Sequence, residues 1–578
     1  MRPMTKKALL AAFGAGLALA GCNLAPHYER PQTDSSGGFK EAVPNTTVYA
    51  QGWKLAEPND AVLRGNWWEL YHDRQLNDLE ERVAISNQTI IAAEANYRVA
   101  RAMVGEAQAS LFPTLSVAPS VIRSRSSASG SSGGSAVSVG STTGTTTSGG
   151  SGGGSSTSTG VAPVSGGSSG TGPRTDYTLP FEASYEVDLW GSVRNSVAQS
   201  RYASEASAAS VQTAILSTQT TLAQDYFSLR STDEERRILD TTLADYEASL
   251  HLVRALYNNG LASEEDLAEA DTQLDSAEAQ ATDLGVARAQ YEHAIAVLIG
   301  VPPSKFSIGV SRFNAALPVI PVSVPSDLLE RRPDIAAAER QVAAANAGIG
   351  IARAAYFPDL TINGLAGFES TSLGSLLDWP NRMWSIGPTL VQPLFDGGLR
   401  RAENAQARAQ YDVTVANYRQ TVLAAFQSVE DNLVTLRVLS KEVDQQHRAA
   451  VAGQKTVKLS VIRYQNGVDS YVNVITAQNT FLTNRLAELQ VQLRQITATI
   501  ALVNNVGGGW DTSQLSDTEK RALNPPDAGK KAQVPLENAG PGVPNPPPLP
   551  ETMSRPEDIL KQNEDDMSSG PAAPAPTR

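Results

Sequence analysis

Hydrophobic and polar positions along this chain follow two rhythms. Over 176–189 the period is two. Tyr177, Leu179, Phe181, Ala183, Tyr185, Val187 and Leu189 alternate with Asp176, Thr178, Pro180, Glu182, Ser184, Glu186 and Asp188. A strand sends successive side chains to opposite faces, so this pattern predicts one apolar face and one acidic, polar face. Elsewhere the period is that of a helix. Leu482, Leu486, Leu489, Leu493, Ile496, Ile500 and Val503 are spaced by four and three in turn, which predicts a coiled-coil seam. Between Gly191 and Gly260 there is neither Gly nor Pro, and the stretch is rich in Ala, Ser, Gln and Leu. It predicts a helix of roughly 100 Å at 1.5 Å per residue. A second Gly/Pro-free run extends from Leu399 to Ala452.

These patterns occur twice. Ala109-Ser110-Leu111-Phe112-Pro113 returns as Ala354-Ala355-Tyr356-Phe357-Pro358, and Leu256-Tyr257-Asn258-Asn259-Gly260 returns as Arg463-Tyr464-Gln465-Asn466-Gly467. Val187-Asp188-Leu189-Trp190-Gly191 is matched by Leu394-Phe395-Asp396-Gly397-Gly398. The first pair is offset further than the second, which one insertion in the first copy explains. It is visible at 126–172, a Ser/Gly/Thr tract without charge or aromatic residues that has no means to form a core and reads as a flexible loop. The chain therefore divides into a leader at 1–21, an N-terminal segment at 22–75 and a first repeat at 76–301. A Pro-punctuated linker at 302–326, a second repeat at 327–510 and a Pro-rich tail at 511–578, expected to be disordered, follow. Each repeat reads as helix, strand, strand, long helix, helix. Leu115, Val117 and Val121 suggest the partner of the 176–189 strand. In the second copy Leu360 and Ile362 begin one strand, and Trp384, Ile386 and Leu390 lie on the other. Pro119, Pro388 and Pro393 count against long strand interiors there.

The leader sets the compartment. Arg2, Lys6 and Lys7 precede an apolar run from Ala8 to Ala20, the pattern of a secretory signal and too short to span a bilayer. It closes on Leu19-Ala20-Gly21-Cys22, which resembles a bacterial lipoprotein cleavage box and marks Cys22 as the lipidation site. Several acyl chains give stable anchoring where one gives only marginal binding. Asn23 in the next position favours forwarding to the outer membrane by the same resemblance. Cys22 is the only cysteine of 578 residues, so no disulfide framework or thiol nucleophile is expected. The five histidines are scattered, and no metal site or cofactor is expected. The net charge of -13 argues against nucleic acid as a partner. Gly166-Gly167-Ser168-Ser169-Gly170 matches a nucleophile-elbow pattern only by accident of the Ser/Gly tract, so no enzymatic activity is expected.

After the leader no apolar stretch is long enough for a transmembrane helix, so any membrane span must be built of strands. Four strands are too few to close a barrel, whose minimum is about eight. Open strand edges in lipid leave N–H and C=O groups unpaired. The chain must therefore assemble with copies of itself. At this point it resembles the TolC/OprM family of outer-membrane efflux proteins, in its lipoprotein (NodT-type) branch. The residues that carry the resemblance are Cys22 with Pro26-His27-Tyr28-Glu29-Arg30-Pro31, Trp67-Trp68-Glu69-Leu70 and Tyr185-Glu186-Val187-Asp188-Leu189-Trp190-Gly191. Leu328-Leu329-Glu330-Arg331-Arg332-Pro333-Asp334-Ile335 with Ala338-Glu339, and Gly507-Gly508-Gly509-Trp510, continue it. The resemblance covers about residues 22 to 510, leaving out the insertion and the tail.

The resemblance implies a homotrimer with a 12-stranded β-barrel in the outer membrane and a periplasmic α-helical tunnel. It also implies a periplasmic adaptor and an inner-membrane efflux pump as partners. The function it implies is export of small molecules such as drugs and toxic compounds. A duct for type I protein secretion, or a surface lipoprotein stalk without a pore, are the alternatives. The insertion would be an extracellular loop. The turns at Gly260 and Gly467 would be the periplasmic helix tips, where the family narrows. Candidate gate residues there are Asp266, Glu269, Tyr464, Asp469, Asn473 and Thr476, and relatives lead one to expect a hydrogen bond from Tyr464 to Asp266 in the closed state. The second tip departs from the family by carrying Asn473 and Thr476 where acids are common. Around a three-fold axis each lumen-facing acid becomes a ring, which favours cations. The same acids also suit an ordinary helix start, because negative charge is stabilised at a helix N-terminus. Asp188 and Asp396, just before glycines, are candidate caps for the two long helices.

Overall fold

The structure, a computed structural model, describes residues 23–33, 39–40, 53–55, 66–125, 173–313, 317–318, 320–322 and 332–508. The leader and Cys22, the 126–172 insertion, part of the 302–326 linker and the 511–578 tail lie outside the described residues.

Two copies of one unit make up the described chain. In the first, α1 (Arg74–Ser86) and α2 (Gln88–Ala109) lead to β2 (Thr114–Val117), β3 (Ser120–Ser124) and β4 (Arg174–Val187), then α3 (Ser192–Asn258) and α4 (Glu264–Leu298). In the second, α5 (Pro333–Ala354) leads to β6 (Asp359–Ser370), β7 (Arg382–Val391), α6 (Leu399–Gln465) and α7 (Tyr471–Asn505). A short β1 (Trp53–Leu55) pairs in parallel with β5 (Ile320–Val322). The copies match in length. α2 and α5 have 22 residues each, α3 and α6 have 67, and α4 and α7 have 35.

All strands of the main sheet are antiparallel. β2 and β3 both pair with β4, in effect one strand broken around Ala118-Pro119; β4 pairs with β6 and β6 with β7. The two hairpin connections, β3–β4 and β6–β7, leave from one end of the sheet, and the helices leave from the other. The register aligns side chains of one kind. Val117, Phe181 and Ala366 stand abreast and continue to Trp384, while Leu360 stands beside Val187 and Leu390. The opposite face carries Glu182 opposite Ser116, and Glu186 opposite Thr361. Gly367 is obligatory for this register, since a Cβ there would meet the Leu179 carbonyl at 2.3 Å and Pro180 Cα at 2.8 Å.

The long helices are held by stacked apolar layers. Near the sheet-proximal half, Leu222, Tyr226 and Phe227 of α3 meet Val429 and Leu433 of α6, Ile496 and Ile500 of α7, and Trp67, Tyr71, Leu76 and Leu79. The heptad residues of α7 turn toward both neighbours: Leu482 and Leu489 pack with Ile238 and Leu239 of α3 in the next layer. The sequence pattern ends α6 at Ala452, but the helix runs on through Gly453 to Gln465. One interior glycine costs only about 1 kcal/mol. Gly453 also lies where a Cβ would stand 3.3 Å from Phe481 Cα, so the small residue lets α6 and α7 approach closely.

Three sets of contacts hold these parts together, the first of them between the copies. Trp190 stacks on Phe357 at 4.7 Å between ring centroids, and its Nε1 donates to the Pro358 carbonyl at 2.9 Å. A buried ionic network joins α3, α4 and the segment after α4. In it Arg230 donates to Asp233 (3.0 Å) and to the Gly309 carbonyl (2.7 Å), while Arg288 donates to Asp233 (2.9 Å) and to the Ile308 carbonyl (2.6 Å). Residues 23–33 run along α5. Arg353 donates to the Leu24 carbonyl (3.3 Å), Asn346 to the Pro26 carbonyl (2.9 Å), Tyr28 to Glu339, and Arg30 to Tyr418 (3.1 Å). Since α5 ends at the sheet, this segment starts at the sheet end and runs away from it.

Candidate functional site

The sheet offers a site of an unusual kind, an apolar face that no other described residue covers. Leu115, Val117, Val121, Trp384, Ile386 and Leu390 lie on one face and are all more than half exposed, Leu115 by 76% and Trp384 by 74%. A continuous apolar surface of this kind does not face water in a stable protein. Backed by a polar face and ending in open edges at β2/β3 and β7, it matches the alternation of a membrane barrel wall, apolar to lipid and polar to a lumen. No helix among the described residues is long and apolar enough to cross a membrane.

Where strand gives way to helix, a carboxylate sits at each junction. Asp188 accepts from the Arg194 backbone N–H at 2.9 Å and from its guanidinium at 3.0 Å. Asp396 accepts from the N–H groups of Gly398 (2.9 Å) and Arg400 (3.3 Å). These backbone donors, with the Arg400 charge, hold the Asp396 carboxyl below its ordinary range. Gly191 and Gly398 precede the helices with φ of 81° and 95°, a left-handed backbone that favours glycine.

At the far end both helical hairpins turn by the same device. Gly260 and Gly467 adopt φ of 70° and 68°. The N–H of Gly260 donates to the Tyr257 carbonyl and that of Leu261 to the Leu256 carbonyl, both at 2.9 Å. Gly467 and Val468 repeat this on Tyr464 and Arg463. This paired closure satisfies the last carbonyls of each long helix.

The chemistry after each turn differs. In the first, Ser263 and Asp266 form a reciprocal capping box: the Asp266 N–H donates to Ser263 Oγ (3.0 Å) and the Ser263 N–H to Asp266 Oδ2 (3.1 Å). In the second, Ser470 makes no side-chain cap, and the turn is stapled by Arg463, whose guanidinium grips Asp469 at 2.6 and 3.2 Å. Asn473 is exposed, and Thr476 returns its hydroxyl to the Val472 carbonyl at 2.8 Å.

The hydrogen bond expected from Tyr464 to Asp266 is not formed. The Asp266 carboxylate is engaged by its own helix start, and the buried Tyr464 hydroxyl has no hydrogen-bond partner among the described residues. Tyr464 lies instead with Tyr471, ring centroids 5.2 Å apart, in an apolar cluster with Leu250, Val253 and Val474. Burial, then the Asp266 charge, raises the Tyr464 phenol, and burial with the nearby Tyr464, Tyr246, Glu269 and Asp266 pushes Tyr471 up to about 12. Asp266, Glu269 and Tyr464 thus gather around Tyr471, while Asp469 turns to Arg463. Ser263 was legible as a cap three residues before an acid. Arg463 and Tyr471 carried no comparable signal.

Among the described residues no cluster of His, Cys, Asp and Glu could hold a metal ion. An antiparallel sheet with one apolar face, continued by helices of roughly 100 Å, matches the wall of a membrane channel extended into a tube. A sequence model described as "Outer membrane efflux protein" matches residues 80–301 and 324–508. The chain belongs to the outer membrane efflux protein family, whose members are channel proteins, and is an outer-membrane component of an efflux system. It is 28% identical over 511 residues to the antibiotic efflux pump outer membrane protein ArpC of Pseudomonas putida, covering 88% of this chain and 96% of that one. The figures are the same for the toluene efflux pump outer membrane protein TtgC of Pseudomonas putida. The outer membrane channel CmeC of Campylobacter jejuni has the same fold, with a TM-score of 0.74 at 22% identity over 87% of this chain and 98% of that one.

Proposed function

We propose that three copies of this chain close their sheets into a 12-stranded barrel and their long helices into a periplasmic tunnel, through which small molecules leave the cell. The observation that carries this reading is the exposed apolar sheet face with two open edges. Lipid satisfies the face, and only neighbouring copies satisfy the edges. Twelve strands stand above the minimum of about eight, whereas four do not. An inner-membrane pump and a periplasmic adaptor supply energy and substrate, since the chain contains no nucleotide-binding loop. The names of ArpC and TtgC favour apolar organic compounds such as antibiotics and toluene as cargo.

Lipidation of Cys22 fits the path of the N-terminal segment. Leu24 is bound to Arg353 at the sheet end of α5, so the described part of this segment begins beside the sheet. The tip residues Asp266, Glu269, Tyr464, Asp469, Asn473 and Thr476 form or flank the narrow end of the tunnel. The test is to express the full chain in an efflux-deficient host with its adaptor and pump. Restored tolerance to toluene and antibiotics, together with a cross-linked trimer in outer-membrane fractions, is the expected result. A monomer that confers no tolerance and forms no channel in planar bilayers would sink the reading.

A further inference from the structure

The two faces of the main sheet are sorted by charge as well as by polarity. Followed through the pairing registers, the apolar face takes every second residue of each strand. Its only charged side chains among the described strand residues are Arg123 on β3 and Arg382 on β7. The opposite face carries Arg174 with Asp176, Glu182, Glu186, Asp359 and Glu369. Both apolar-face arginines lie at the end of the sheet from which the hairpin connections leave. Arg123 is the last apolar-face residue of β3, beside Thr175, and Arg382 is the first residue of β7. Both are exposed. Among the described residues neither guanidinium makes a hydrogen bond or an ion pair, although that of Arg382 stacks over the exposed Trp379 ring at 4.2 Å from its centroid. The insertion that follows β3 contains no charged residue, and Asp378, the one acid of the β6–β7 connection, pairs with neither arginine.

We propose that Arg123 and Arg382 form a headgroup site for a phosphorylated lipid in the leaflet at the hairpin end of the sheet. Their guanidinium groups take its phosphates, and the apolar face takes its acyl chains. The proposal rests on the reading of the sheet as the wall of a membrane barrel. Depth supports it. The apolar face of β4 runs from Tyr177 to Val187, roughly 34 Å along the strand and about 26 Å in height at a tilt of about 40°, the height of a barrel's apolar band. Arg123 stands one same-face step beyond Tyr177, at the level of the headgroups. An arginine on the lipid face is costly at the midplane and tolerated at the interface, where an aromatic ring such as Trp379 also belongs. Topology supports it too. β3 and β7 are the two open edges, so copies joined edge to edge bring Arg123 of one copy and Arg382 of the next to one seam. Two cations at one seam repel unless an anion sits with them. The planar fork of arginine matches the oxygens of a phosphate, which makes a phosphorylated headgroup the fitting occupant.

The test uses the full-length chain, purified in mild detergent as the assembled channel and titrated in a native mass spectrometer. The probes are lipid A carrying both phosphates and the same glycolipid stripped of them. Wild type should bind the phosphorylated lipid about twenty-fivefold more tightly than the stripped one, the factor that two interfacial arginines give at about fivefold each. Arg123→Gln and Arg382→Gln should each weaken binding about fivefold, and the double variant should bind both lipids alike. Arg174→Gln, at the same end but on the opposite face, should bind as wild type does. The preference should also shrink as salt is raised. Wild type that binds both lipids equally overturns the proposal without recourse to any variant. So does a double variant that keeps the preference, or an Arg174→Gln protein that loses it. Displacement of the lipid by millimolar inorganic phosphate would assign the arginines to a soluble anion and overturn the lipid. A wild-type chain that gives no heat-modifiable barrel band would instead remove the reading of the sheet as a membrane wall, an outcome distinct from all of these.

Discussion

Glu80 offers the sharpest test of how this chain is packed. It lies on α1 with Leu76, Leu79 and Val83 on the buried face of that helix, and it is 0% exposed. Neither carboxylate oxygen has a hydrogen-bond partner among the described residues. Burial alone pushes its pKa well above the ordinary value, so folding favours the neutral form of Glu80. In the unfolded chain the same group ionises near its reference value of about 4.3. The sign follows from linkage. A carboxyl raised in the folded state favours folding fully below the unfolded pKa, and that advantage drains away as pH rises toward the folded pKa. An unsatisfied buried polar group costs about 1–3 kcal/mol. Glu80→Leu removes the orphaned oxygens and keeps the volume near that of the original, so it should stabilise the protein by about that amount at neutral pH. Glu80→Gln keeps the polar burden but not the proton, so it should remove the pH slope. The assay is thermal unfolding of the detergent-solubilised protein at several pH values between about 4 and 9, comparing wild type with both variants. Wild type should lose stability relative to Glu80→Gln as pH rises. A Glu80→Leu protein less stable than wild type at pH 8 would show that the carboxyl has a partner after all and refute the reasoning.

Three further outcomes follow from the packing. Asp233→Asn strips the carboxylate that serves both Arg230 and Arg288, and removing one partner of a buried pair costs about 3–5 kcal/mol; the midpoint of urea unfolding should fall accordingly, with proteolysis at residues 306–311 appearing first. Gly367→Val drives a side chain into the Leu179 carbonyl and Pro180, so the chain should fail to yield the heat-modifiable barrel band on gels, while Gly387→Val, where nothing lies within 4 Å, should still yield it. Tyr464→Phe removes a hydroxyl without a hydrogen-bond partner among the described residues, so bilayer leak should stay at the wild-type level; an increase would restore the Tyr464–Asp266 link as part of the gate.

Much of the fold was legible because it rests on periodicity, and periodicity survives in a single sequence. The alternation at 176–189 became β4 over Arg174–Val187, and its apolar face continues across three neighbouring strands. The duplicated Tyr257–Gly260 and Tyr464–Gly467 segments became turns of the same geometry because both depend on one residue with a left-handed backbone. Glycine signals of another kind were misleading. Gly453 reads as a helix stop, yet it is a point of close helix contact, and which role a glycine plays is settled by a helix that lies elsewhere in sequence.

The site was legible in location and less so in chemistry, for a physical reason. Asp266 and Asp469 are both acids that follow a turn glycine, Asp266 as the last of three consecutive acids and Asp469 two residues after Gly467. Each is spoken for by whatever donor lies within reach: the Ser263 N–H for Asp266, and Arg463 for Asp469. Arg463 has Leu256 as its counterpart in the first copy, so the ion pair exists in only one tip. The same backbone duplicated twice therefore gives one tip closed on itself by a capping box and another by a guanidinium. Neither acid is left free to reach across to Tyr464. Gln273 and Asn479, which do join α4 to α7, are uncharged and sit two or more helical turns past the glycines, where a sequence gives no sign that α4 and α7 face each other. Charge marks where an acid sits along a helix, but the contact between helices decides which residues link them. Near the tip the polar contacts between the two hairpins, Gln273 with Asn479 and Gln478 with Ser249, are therefore made by neutral side chains rather than by the tip acids.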